Sequence, residues 1–132
     1  MVYFTWTKGT NQRLSTHFLT DEFDCHCIHS NCKDQKISVD LIERLELVRQ
    51  AVGPITVTSG YRCARYQARL LSLPEVETVK NSKHCTGDAA DIQTNDIQAL
   101  YKTVARYFTA IGVAKTFIHV DTRPGKHSWT YK

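Results

Sequence analysis

Residues 37–54 spell out one helix together with both of its ends, and no other segment constrains the fold as much. Leu41, Ile42, Leu45, Val48 and Val52 recur at helical spacing, which predicts a helix over residues 38–51 with that face on a core. Ser38 can cap its first turn, and Ile37 and Ile42 stand where a hydrophobic staple places its two side chains. Gly53-Pro54 stops the helix, because proline cannot continue it and glycine tolerates the left-handed exit. The β-branched residues at 55–59 then predict a short strand, closed by a turn at Gly60.

The remaining chain reads in less detail. Residues 1–20 form an arm of weak periodicity, and residues 21–36 are polar and rich in Cys and His. A second helix is expected over residues 63–73, stopped by Pro74, followed by a polar loop over 75–87 and a strand over 89–93. Asn95 and Gln98 suggest the capping box of a third helix, with Ile97, Leu100, Tyr101, Val104 and Phe108 on one face and Gly112 at its end. Residues 113–120 read as a final strand region able to fold as a hairpin, and Trp129 and Tyr131 can pack back from the polar tail that begins at Thr122. Helices and strands mix without regular alternation, so the expected class is α+β, a small, mainly antiparallel sheet flanked by helices. With 132 residues and no repeat or linker, the chain is expected to be one domain over residues 1–132.

Composition excludes several functions. No apolar run approaches the roughly 18–20 residues that span a bilayer, so stable membrane insertion is not expected. The first residues lack the apolar stretch of a signal peptide, which predicts a product made in the cytoplasm that reaches its site of action after release, or as part of a virion. The net charge of +4 favours an anionic partner. The basic residues are scattered, however, and lack the stripe with interleaved aromatics that nucleic-acid binding uses, so nucleic acid is not an expected partner. A monomer is expected.

Two constellations carry chemistry. The first is Ser82-Lys-His84-Cys-Thr-Gly87-Asp-Ala-Ala-Asp91, and the second is Phe117-Ile-His119-Val-Asp121. Zinc hydrolases use three N or O ligands and leave a position for water, and His84, Asp91 and His119 would supply such a set. A loop bending at Gly87 followed by a strand lets His84 and Asp91 converge. His119 and Asp121 are two apart on a strand, so they share a face.

The segment from Ser82 to Asp91 resembles the Ser-x-His-x-x-Gly-x-Ala-x-Asp signature of the zinc D-alanyl-D-alanine carboxypeptidase and endopeptidase family. Phe117-Ile-His119-Val-Asp121-Thr-Arg resembles the closing motif of its murein-endopeptidase branch, Thr58-Ser-Gly-Tyr-Arg62 its substrate-binding turn, and Phe18-Leu-Thr-Asp-Glu-Phe23 the N-terminal segment of its phage members. The resemblance implies the core fold shared with lysostaphin-type peptidases and the Hedgehog domain. It also implies zinc at His84, Asp91 and His119, and Arg62 binding the substrate carbonyl or carboxylate and steadying the oxyanion. A planar, permanently charged fork suits that task. Ser82, at the head of the signature, is placed with Arg62 in substrate binding. The family's acidic residue three positions before the last histidine is Thr116 here, so Asp121 is expected to be the general base, with Asp88 as its nearest rival and the orienting of a histidine ligand as the alternative role for Asp121. The implied activity is zinc-dependent hydrolysis of an amide bond in the peptidoglycan stem peptide or cross-link, as in a phage endolysin. The alternative is a non-catalytic, zinc-containing wall-binding module.

Five cysteines are present, and Cys25-His-Cys27-Ile-His29-Ser-Asn-Cys32 packs several soft ligands into one stretch. That stretch is compatible with a second, structural ion at Cys25, Cys27, His29 and Cys32, with free thiols, or with a disulfide formed after release. Cys63 and Cys85 read as small packing residues beside the site.

Overall fold

The computed structural model describes residues 2–132. The chain is α+β, with two sheets and three α-helices among the described residues. Strand β1 (Tyr3–Thr7) pairs antiparallel with β2 (Asp34–Ser38) as a separate two-stranded sheet. The expected N-terminal arm therefore contains a strand, and the Cys/His-rich stretch ends in its partner. Neither strand advertises itself, because the two meet across a long intervening segment and present few apolar alternations.

Helix α1 (Val39–Val52) follows β2 directly. The Ser38 hydroxyl accepts from the Leu41 amide at 3.2 Å, and Gly53 leaves the helix at φ 84°, which is the capping expected at both ends. Strand β3 (Thr56–Ser59) leads into α2 (Ala64–Ser72), whose N-cap is Cys63. A 3-10 turn over Lys83–Thr86 precedes β4 (Ala89–Gln93). Helix α3 (Ile97–Tyr107) is capped by Asp96, one residue after the expected Asn95, with the Asp96 carboxylate accepting from the Ala99 amide. The helix ends at Tyr107, well before Gly112. That glycine lies inside β5 (Ala110–Val113), which forms an antiparallel hairpin with β6 (Ile118–Asp121). Strand β7 (His127–Thr130) completes the sheet.

The main sheet runs β3-β4-β6-β5-β7, antiparallel except for the parallel β5–β7 pair at the edge. Helices α1 and α3 pack on each other, and α3 lies against β5 and β6. Leu41, Leu45, Val48, Leu100 and Val104 from the helices close one core with Ile92, Ile118 and Val120 from the strands. Strand alternation then puts the polar residues of β4 and β6 on the opposite face. Among the described residues, no helix is long and apolar enough to cross a membrane.

Candidate metal centre

On β4 and β6, Ile92 faces Ile118 and Ala90 faces Val120 on the core side, so Asp91 and His119 are paired across the strands on the other side. Opposite His119 on β5 is Gly112, and opposite Gly112 on β7 is Trp129. A Cβ on Gly112 would run into the Trp129 indole. Its absence lets that indole reach across and lie 5.3 Å from the His119 ring, centroid to centroid. The packing back expected of Trp129 is thus a wall of the site.

His84 comes from the 3-10 turn before β4. The Ser82 hydroxyl caps that turn by accepting from the His84 amide at 3.2 Å, and Gly87 closes it at φ 78° in the left-handed region. Ser82 lines the cleft above the site, and its contact with His84 is a positioning one.

The three expected ligands meet. Asp91 Oδ1 lies 3.2 Å from His84 Nε2 and 2.9 Å from His119 Nδ1, and the three groups are buried. The far nitrogen of each ring is already committed. His84 Nδ1 donates to the Gly60 carbonyl at 2.7 Å, and His119 Nε2 donates to Asp121 Oδ2 at 2.8 Å. Because both partners are acceptors, the two inner nitrogens present lone pairs to the Asp91 carboxylate. Two lone pairs and an anionic oxygen repel one another in a buried place unless a proton or a metal ion lies between them. Two imidazole nitrogens and one carboxylate oxygen, with a cleft on the open side, fit a catalytic zinc ion with a free position.

The electrostatics agree. Without a metal, burial disfavours the His119 cation, but the protonated ring donates to both Asp121 and Asp91, which outweighs burial and holds its pKa above the usual histidine value. Burial dominates at His84 and pushes its pKa down despite Asp91. Burial also opposes ionisation of Asp91, yet His84 and His119 keep its carboxyl well below the usual carboxylate range.

Arg62 reaches the same centre. Its Nη2 donates to Asp91 Oδ2 at 3.4 Å, its Nε to Ser59 Oγ at 3.1 Å and its Nη1 to Gln67 Oε1 at 3.2 Å. Gln67 is itself fixed, donating to Thr78 Oγ1 and to the Val79 carbonyl, each at 2.8 Å. The cleft has a volume of about 740 Å³ and is lined by Arg62, His84, Asp91 and His119.

Asp121, the expected base, is not among the residues that line the cleft. It is fully buried, and both its oxygens are taken: Oδ1 accepts from the Arg123 amide and Nε, and Oδ2 from Arg123 Nη2 and His119 Nε2. It touches the edge of His119 that points away from Asp91. Sharing a strand face placed it near the histidine, and ring orientation placed it behind. Asp88, the rival carboxylate, is held by Tyr3 and Thr86. Gly60, Gln67 and Arg123 were not singled out as site residues. Gly60 and Arg123 lie within or beside the quoted motifs, whereas Gln67 carries no sequence signal beyond its place on α2.

The cysteine cluster differs from expectation as well. Cys25, Cys27 and Cys32 converge with Cys63, and His29 is not in the group.

The sequence pattern of the peptidase M15 family matches residues 16–121. The chain belongs to that family. It is a zinc metallopeptidase, and its His84–Asp91–His119 triad is a group able to hold the metal. No functionally curated protein shows significant sequence similarity to this M15 peptidase.

Proposed function

We propose that this M15 peptidase hydrolyses an amide bond in the peptidoglycan stem peptide or cross-link and so acts on the bacterial cell wall. The observation that carries the reading is Arg62, fixed at three points with its fork beside the Asp91 edge of an open cleft. Stem peptides bring carboxylates, and Lys83 and Lys115 line the same cleft. Bound zinc supplies Lewis-acid polarisation of the scissile carbonyl and makes water acidic enough to act near neutral pH.

The chain's own residues do the rest. His84 and His119 present fixed lone pairs, because Gly60 and Asp121 hold their other nitrogens. Arg62 donates to the oxygen on which charge develops. Asp121 orients His119 and stays anionic. In this reading proton acceptance falls to Glu75 or Glu77, exposed carboxylates that line the cleft on the loop after α2, Glu77 also accepting from the Lys132 amide.

Purified sacculi incubated with the protein, followed by mass analysis of the products, test the reading. New amino and carboxyl termini on stem peptides, without new glycan ends, are expected. Tight binding to sacculi with no release of termini would instead support a wall-binding module.

A further inference from the structure

Cys25, Cys27 and Cys32 lie on the stretch of irregular backbone that leads into β2, and Cys63 caps α2 far along the chain. Their four sulfurs all lie within 4.8 Å of one another. A tetrahedron of thiolates bound to zinc at 2.3 Å has edges of about 3.8 Å, so small movements would close the set around one ion. None of the four forms a disulfide.

The surroundings are arranged for thiolates. Each sulfur faces at least one nitrogen donor. The Cys63 amide donates to Cys25 Sγ at 3.3 Å, Lys8 Nζ to Cys27 Sγ at 3.6 Å, Gln35 Nε2 to Cys32 Sγ at 3.4 Å, and the Tyr66 amide to Cys63 Sγ at 3.4 Å. The donors are themselves anchored. Gln35 is buried and accepts from the Cys25 amide at 2.7 Å, while Lys8 also donates to the Cys27 carbonyl at 2.9 Å. Thiols accept hydrogen bonds weakly, whereas metal-bound thiolates are held by such outer donors. Lys8 adds a positive charge beside a centre that would carry a net negative one.

We infer that Cys25, Cys27, Cys32 and Cys63 hold a structural zinc ion, separate from the His84–Asp91–His119 centre, that fastens the 25–32 segment to the start of α2. Four soft sulfur ligands in a closed set select zinc and leave no position for water. The clamp has a reason to be there. Residues 25–32 contain no helix or strand of their own, and beyond the cysteines they meet α2 through Arg65 donating to Asn31 and the His26 ring against Tyr66. Cys63 directly follows Arg62, so the ion would also fix the turn from which Arg62 reaches Asp91.

The test uses the full chain with the catalytic ligands removed by His84→Ala and His119→Ala, purified under reducing conditions. Two zinc ions per wild-type chain and one in the double variant are expected. Cobalt added to the metal-stripped double variant should give the intense sulfur-to-cobalt charge-transfer absorption of a tetrahedral thiolate site. A metal-free double variant, or cobalt binding without those bands, would overturn the inference. Because that variant could be misfolded, wild-type protein supplies a second measurement. Four of its five thiols should resist alkylation until a chelator is added. Immediate alkylation of all five, or a mass lower by two hydrogen atoms from a disulfide among the four, would also overturn it. None of these outcomes depends on what the active site cleaves.

Discussion

His119 Nε2 lies 2.8 Å from Asp121 Oδ2, on the edge of the ring opposite the nitrogen that meets Asp91. In the proposed mechanism this relationship gives Asp121 an orienting role. Asp121→Asn is therefore expected to weaken zinc binding by about 10- to 100-fold, with activity recovered when zinc is added in excess. Changing Glu75 and Glu77 together to Gln should leave zinc binding unchanged and lower kcat by about 100-fold or more. Measuring kcat and zinc affinity for both variants checks the assignment. A loss in Asp121→Asn that excess zinc does not repair would return the base to Asp121.

Arg62→Lys keeps the charge and loses the fork that bridges Ser59, Gln67 and Asp91. A fall in kcat of about 10- to 1000-fold is expected, the range for losing one oxyanion donor, with zinc content unchanged. Wild-type kinetics in the variant would place Arg62 outside the reaction.

How far the sequence reaches can be seen residue by residue. Helix α1 is legible because Ser38 and Gly53-Pro54 state its ends locally, and β4 because its short apolar run follows a turn at Gly87. The end of α3 is not, since Phe108 and Ile111 extend an apolar rhythm past Tyr107 into β5. The β1–β2 pairing depends on contacts between distant segments, which leave no local mark. The metal ligands are legible because turn and strand together set where side chains project. The role of Asp121 is not, because strand periodicity fixes a face and says nothing of which ring edge is met. Cys63 is hidden for a similar reason: it is separated from Cys32 by a helix and two strands, and it doubles as a helix cap.

Zinc must displace a proton from His119, whose pKa is raised by Asp121 and Asp91 against the opposing effect of burial. The raised value has a definite sign. In the metal-free protein, the protonated ring contributes stability that is fully present below the ordinary histidine value and lost as pH rises through the folded value. Zinc meets the opposite dependence, since the proton competes with it. The rise in Tm on adding zinc should therefore be larger at about pH 8 than at about pH 6. Thermal melts of stripped and zinc-loaded protein at the two values measure this, and an equal or reversed difference would contradict it.

Gly60 packs so closely on Phe23 that an added Cβ would sit 2.6 Å from the Phe23 Cα, and Phe23 is fully buried. Gly60→Ala is expected to cost about 1–3 kcal/mol, as overpacked sites do. The same displacement moves the carbonyl that holds His84 Nδ1, so zinc affinity should fall too. Urea unfolding and zinc titration check both, and an unchanged midpoint would mean that the turn yields freely.

The central claim is that zinc at His84, Asp91 and His119 drives hydrolysis of peptidoglycan peptides. Its most direct measurement is release of free amines from sacculi by metal-stripped protein during a zinc titration, with His84→Ala alongside. Wild-type activity is expected to be absent without metal and to return with zinc, while His84→Ala stays inactive at every zinc concentration. Amine release by the stripped wild-type protein, or by His84→Ala, would contradict the account.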